Sequence, residues 1–187
     1  MQDVLSGRID VAMIDRPVSH PELVICFCIE ASPIPLAAKG YVEKYIVPVT
    51  IEDLQHHTGM LLRQGMYERT TYLYDIDGHV SPALKWKRVF MTDAQQTLNH
   101  MMFEDMGIVV DCVLLHLEDK IRQGLVVPVL PCWRRKPQIL SIVTRRDRED
   151  TSEVVHDFAV WWCAKAKQRS LKLRKRTKAL LDGIVQV

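Results

Sequence analysis

Apolar residues in this chain fall into short runs separated by Pro, Gly and charged turns. The runs alternate between strand-like and helical spacing. Asp3 to Gly7 reads as the last turn of a helix stopped by Gly7, and Ile9–Ile14 as a short strand buried on both faces. A second strand is predicted over Glu22–Ile29, ending before Ser32-Pro33 and Pro35. Leu36-Ala-Ala38 reads as a helical turn closed by Gly40, and Thr50 as the cap of a short helix with Asp53 reaching back to it.

Strand-like pieces follow at Met60–Arg63, Thr70–Tyr74 and Val80–Trp86, the last two joined by a turn at Asp75-Ile-Asp-Gly78. Val89–Met91 reads as a strand, and Thr92 as the cap of a helix whose face carries Ala94, Leu98, Met101 and Met102. Gly107–Val110 reads as a parallel-type strand, Val113–Arg122 as a helix stopped by Gly124, and Leu125–Leu130 as an extended run into Pro131. Ile139–Thr144 is a predicted strand. Asp150 and Glu153 open a last helix whose buried face is predicted to be Val154, Val155, Phe158, Trp161 and Trp162. Helices alternating with short buried strands indicate an α/β fold with parallel strands.

Charge separates the chain into two parts. The formal charge is +2, yet residues 165–187 hold eight basic side chains and one acidic one. The rest therefore has 17 basic against 22 acidic groups, net −5. With 48% hydrophobic residues and no run near the roughly 20 needed to span a bilayer, the pattern is that of a folded domain without an export signal, expected in the cytoplasm. The odd set Cys26, Cys28, Cys112, Cys132 and Cys163 fits reduced, buried thiols rather than a disulfide framework. Seven histidines form no His-Glu-x-x-His pattern, and there is no phosphate loop or nucleophile elbow. No metal, cofactor or catalytic residue is expected, and the protein is not expected to be an enzyme.

Taken in order, the motifs resemble the effector-binding domain of LysR-type transcriptional regulators over about residues 3–163. They are Asp3-Val-Leu-Ser-Gly-Arg-Ile-Asp-Val-Ala12, Ala31-Ser-Pro-Ile-Pro-Leu-Ala-Ala-Lys-Gly40, Asp53-Leu-Gln-His-His57, the Thr92-Asp93 helix start and Gly107-Ile-Val. Gln123-Gly-Leu-Val-Val-Pro-Val-Leu-Pro-Cys-Trp133 follows, and Phe158 and Trp161 complete the series. Seven pieces in this order and near-right spacing make the likeness specific. There are departures: Pro35 stands where the family has Tyr, and Glu104-Asp105-Met106-Gly107 where Ala-Gly-x-Gly is common.

The resemblance implies a type 2 periplasmic-binding-protein-like fold: two lobes with mixed sheets and a hinge of two crossovers. Lobe I would be residues 1–30 and 134–163, lobe II residues 31–133, and residues 164–187 a basic helical extension. The family's helix-turn-helix and the first strand-helix-strand of lobe I would be missing, leaving an exposed apolar edge around Ile9–Ile14. A small-molecule effector would bind in the inter-lobe cleft, where strand ends and helix N-termini converge. The implied effector residues are Arg16, Ser32, Met91, Thr92, Asp93 and Asp111, with hinge positions Ser32, Pro33 and Pro131. Implied partners are a second copy in a homodimer or homotetramer, and promoter DNA only through a helix-turn-helix absent from this chain. No membrane is implied. The alternatives are a solute-binding protein of the same fold and a truncated, non-functional remnant.

Overall fold

The computed structural model describes residues 1–31, 33–63, 69–112 and 117–185. The chain divides into two compact units, Met1–Ala31 with Pro137–Lys178, and Ser32–Lys136 with Ala179–Val187.

In the first unit, helix α1 (Gln2–Leu5) ends before Gly7, whose φ of +73° lets the chain turn without a Cβ clash. Strands β1 (Val11–Ile14) and β2 (Leu23–Ala31) flank β8 (Gln138–Arg145) on either side. Both pairings are antiparallel, with Ile14 and Cys28 opposite Ser141, so the parallel strands expected here are not formed. β1 is an edge strand with Met13 exposed beside half-buried Val11 and Ala12, not a strand buried on both faces. Its apolar contribution is Ile14, which joins Val4, Leu23 and Val143 in a small core.

Register in β2 shifts between Ile25 and Phe27. A bulge there breaks the two-residue alternation that would have turned Cys26 and Cys28 inward together. Cys28 and Cys132 are exposed, and only Cys112 is buried, so burial of the thiols as a set is corrected.

Beyond β8, α5 (Arg146–Thr151) stops at Ser152, and α6 (Glu153–Val185) runs 33 residues. The basic segment 165–178 is thus a continuation of this helix. Its packed stripe is also not the predicted one. Val154, Phe158 and Trp161 are 79%, 47% and 55% exposed, whereas Val155, Ala159 and Ser170 are buried. Spacings of four and eleven residues keep these three on one face, where small Ala and Ser side chains permit close packing. The aromatic residues cluster with one another instead, the Phe158 ring lying 5.7 Å from both Trp161 and Trp162.

The second unit is built on a five-stranded sheet in the order β5-β4-β6-β3-β7. Its strands are β3 (Leu36–Ala38), β4 (Thr58–Leu62), β5 (Arg88–Thr92), β6 (Ile108–Val109) and β7 (Val126–Pro128). β4 runs parallel to β5 and β6, while β3 runs antiparallel to β6 and β7, so the sheet is mixed. Leu36-Ala-Ala38, read as a helical turn, is the fully buried β3. The helix, α2 (Lys39–Lys44), comes after it and contains Gly40 rather than ending there. The turn Glu52–His56 is a 3-10 helix with Ile51 rather than Thr50 at its N-cap position and no side-chain cap, and Asp53 accepts the Val49 and Thr50 N–H groups at 2.9 and 2.8 Å. Of the hairpin predicted after Thr70, one bridge forms, Tyr74 to Val80, around Gly78 at φ +90°.

Helices α3 (Gln95–Phe103) and α4 (Glu118–Arg122) complete the unit. Much of the predicted Val113–Arg122 helix start lies outside the described residues. Leu54, Leu61, Leu73, Ile108 and Val110 form the fully buried centre of the core. Each such side chain contributes about 1.5–3 kcal/mol by leaving water, which is what holds the strand ends in place.

Candidate functional site

Parallel pairing sets the carboxyl ends of β4 and β5 side by side, Leu61 opposite Met91 and Leu62 opposite Thr92. The Arg63 N–H donates to the Thr92 carbonyl at 2.8 Å, extending the ladder one residue past β4. Met91 and Asp93 are exposed there and Thr92 is half-buried.

Thr92 does not cap α3 as the sequence suggested. It ends β5, and its Oγ1 accepts the Ala94 N–H at 3.2 Å, a local turn that delays the helix to Gln95. The N-cap is Ala94, which has no side-chain oxygen to offer. The first N–H groups of α3 are therefore unsatisfied by a side-chain cap, beside the Thr92 hydroxyl. That combination suits a polar or anionic ligand atom.

Asp111 has a different role from the one expected. It follows β6 at the same edge, but it is 1% exposed. Its carboxylate accepts the Leu62 N–H at 2.8 Å and the Thr70 hydroxyl at 2.5 Å, and pairs with Arg135 at 3.1 Å. Burial pushes its carboxyl up, opposed in turn by Arg135, Thr70 and Leu62. With its oxygens engaged internally, Asp111 braces the end of β4 rather than facing solvent.

Arg135 is a residue that sequence reasoning missed. Its N–H donates to the Pro33 carbonyl at 2.8 Å, and the Val129 N–H donates to Pro35 at 3.0 Å. The two predicted crossover segments are thus hydrogen-bonded to each other, and Asp111 is tied to them through the Arg135 guanidinium. Nothing local marked it, since Arg135 stands between Arg134 and Lys136, 24 residues from its partner.

Of the hinge positions, Pro33 is buried and Pro131 half-exposed, and Ser32 lies outside the described residues. Leu130, just before Pro131, sits at φ +54°, an uncommon conformation for a branched side chain. Arg16 is exposed in the loop after β1, with Asp15 half-buried next to it. Each unit thus presents its own share of the expected residues.

The remaining chemistry is structural. The Cys112 thiol is pushed up to about 12 by burial and by Asp111, which keeps it protonated and a weak ligand or nucleophile. Among the described residues one grouping has metal-type ligands, Asp75, Asp77 and His79. Asp75 is already used there by the Asp77 and His79 N–H groups and by the His79 ring at 2.8 Å, which makes the turn. No helix among the described residues is long and apolar enough to cross a membrane.

An α/β chain in which a segment with a mixed five-stranded sheet, residues 32–136, interrupts the sequence of another unit is the class to which type 2 periplasmic-binding-protein-like domains belong. The sequence profile of the LysR substrate binding domain matches residues 1–161, and the chain belongs to that family.

Solved structures agree in fold. The regulatory domain of AphB from Vibrio vulnificus is 18% identical with a TM-score of 0.66, over 83% of this chain and 76% of that one. The regulatory domain of CrgA from Neisseria meningitidis is 18% identical with a TM-score of 0.66, over 86% and 78%. Full-length AphB of Vibrio cholerae, a virulence activator, is 19% identical with a TM-score of 0.67. That match covers 83% of this chain but 52% of the longer protein. This chain thus spans about half of a full-length regulator. No curated protein matches it.

Proposed function

We propose that this chain is the effector-sensing part of a LysR-type bacterial transcription regulator, without enzymatic activity. Its effector, a small molecule, is held in part at the carboxyl ends of β4 and β5 by Met91, Thr92 and Asp93, with Arg16 and Ser32 as further recognition residues. The observation that carries this reading is the paired carboxyl ends of β4 and β5, with Met91 and Asp93 exposed, beside the uncapped start of α3. Arg16 would meet a carboxylate through paired N–H donors, and Asp93 would favour a ligand that also carries a donor.

Signalling then requires differential affinity. An effector shifts the balance between two arrangements of a homodimer or homotetramer only by the difference in its binding free energy to each. Promoter DNA would be contacted by an attached helix-turn-helix domain.

Thermal unfolding in the presence of a panel of small organic acids, amino acids and neutral polyols tests the proposal. A ligand at 100 times its Kd stabilises by about 2.7 kcal/mol, a shift of about 5–11 °C for a chain of this size. The shift should be lost in Thr92→Val and Arg16→Ala, with no consumption of the ligand. Turnover that disappears in either variant would instead make the protein an enzyme.

A further inference from the structure

We infer that the amino ends of β4 and β5 form a second binding site, for a small oxyanion, apart from the effector residues at the opposite ends of the same strands. A cavity of about 160 Å³ opens there. Since a water occupies about 30 Å³ and drug-sized ligands need roughly 300–1,000 Å³, the space suits a phosphate or a carboxylate group rather than a whole effector.

Its lining is polar and one-signed. Lys87 and Arg88 supply two cations, and Thr58, His56 and Tyr45 also line it. Among the described residues no carboxylate lines the cavity. Three acids of the flanking segments are committed elsewhere: Asp105 pairs with Lys44 at 2.6 Å, Glu43 with Lys39 at 3.6 Å, and Asp53 accepts the Val49 and Thr50 N–H groups. Neither Lys87 nor Arg88 has an ion-pair partner among the described residues. Both cations contribute to one cavity lining, so an anion bound there would offset their charge, and the guanidinium fork offers it paired donors.

The frame behind the cavity is fixed by hydrogen bonds. The Lys87 N–H donates to the His57 carbonyl at 2.9 Å, and Arg88 stands opposite Thr58 in the parallel register. The Tyr41 hydroxyl bonds His57 Nδ1 at 3.0 Å and also meets the Thr58 backbone. The Tyr45 ring packs against Tyr41 at a tilt of 35°, with centroids 4.6 Å apart. Arg88 and Thr92 are four strand steps apart, about 13 Å, so one strand joins this cavity to the proposed effector end without the two sites overlapping.

Calorimetric titration of the full chain with sodium phosphate, at constant ionic strength set with sodium chloride, tests the site. The expected result is saturable one-to-one binding that weakens at least tenfold in the Lys87→Gln/Arg88→Gln variant. Both side chains are exposed, so this variant should keep the wild-type Tm in chloride. A control variant, Lys172→Gln/Arg174→Gln on α6, should bind as the wild type does, and sodium acetate in place of phosphate distinguishes a carboxylate from a phosphate preference. Absence of saturable binding to both anions, equal affinity in the Lys87/Arg88 variant, or equal loss in the α6 control would overturn the assignment.

Discussion

Replacing Asp111 with alanine leaves three partners behind: the Leu62 N–H, the Thr70 hydroxyl and the Arg135 guanidinium, whose side chain is only 10% exposed. Removing one member of a buried ion pair costs about 3–5 kcal/mol, because the other charge stays buried without compensation. For a chain of 187 residues each kcal/mol lowers Tm by about 2–4 °C, so the variant should melt about 6–20 °C below the wild type. Circular dichroism melts and urea titrations of Asp111→Ala, Arg135→Met and the double variant Asp111→Leu/Arg135→Met provide the assay. The double variant should lose less than the sum of the single ones, since it removes both charges from the interior. The reasoning fails if Asp111→Ala costs under 1 kcal/mol, the range of a solvent-exposed pair, or if the two single losses simply add.

Two further outcomes follow from the same unit. Burial, with a smaller contribution from His56, holds the His57 imidazole below its ordinary value of 6.5, so the unfolded chain takes up a proton there before the folded one does. Stability should therefore be fully present above about pH 6.5 and fall as pH drops through the folded pKa. His57→Gln should flatten that slope in urea midpoints measured from pH 8 to pH 5, and an unchanged slope would refute the assignment. Gly107→Ala would place a Cβ 2.4 Å from the Thr58 carbonyl oxygen. Backbone cannot move aside as a flexible side chain does, so a loss of about 1–3 kcal/mol is expected, and a wild-type Tm would show that the β4–β6 approach is looser than described.

Much of the order of elements was legible, because it depends on neighbours along the chain. Gly7 and Gly124, both read as helix stops, and Gly78, read as a turn residue, all have positive φ. That conformation follows from the absence of a Cβ and needs no partner. The family motifs behave likewise, since each spans only a few consecutive residues. Asp105 shows the limit of this reasoning. It holds φ +55° where the family commonly has glycine, and its carboxylate finds Lys44, 61 residues away.

The sequence by itself determined the family, the α/β character and the presence of a strand leading to Met91. Tertiary structure decided which groups the end of that strand presents. Periodicity identifies residues that share a face but not the surface that face meets, so α6 packs through Val155, Ala159 and Ser170 while Phe158 and Trp161 stay exposed. Burial of Asp111 likewise depends on Leu62, Thr70 and Arg135, which lie 49, 41 and 24 residues away. Separations of that size leave no local signature. Only the folded chain brings an acid and a base together out of water, and the energy of that pairing sets whether a side chain meets a ligand or braces a strand.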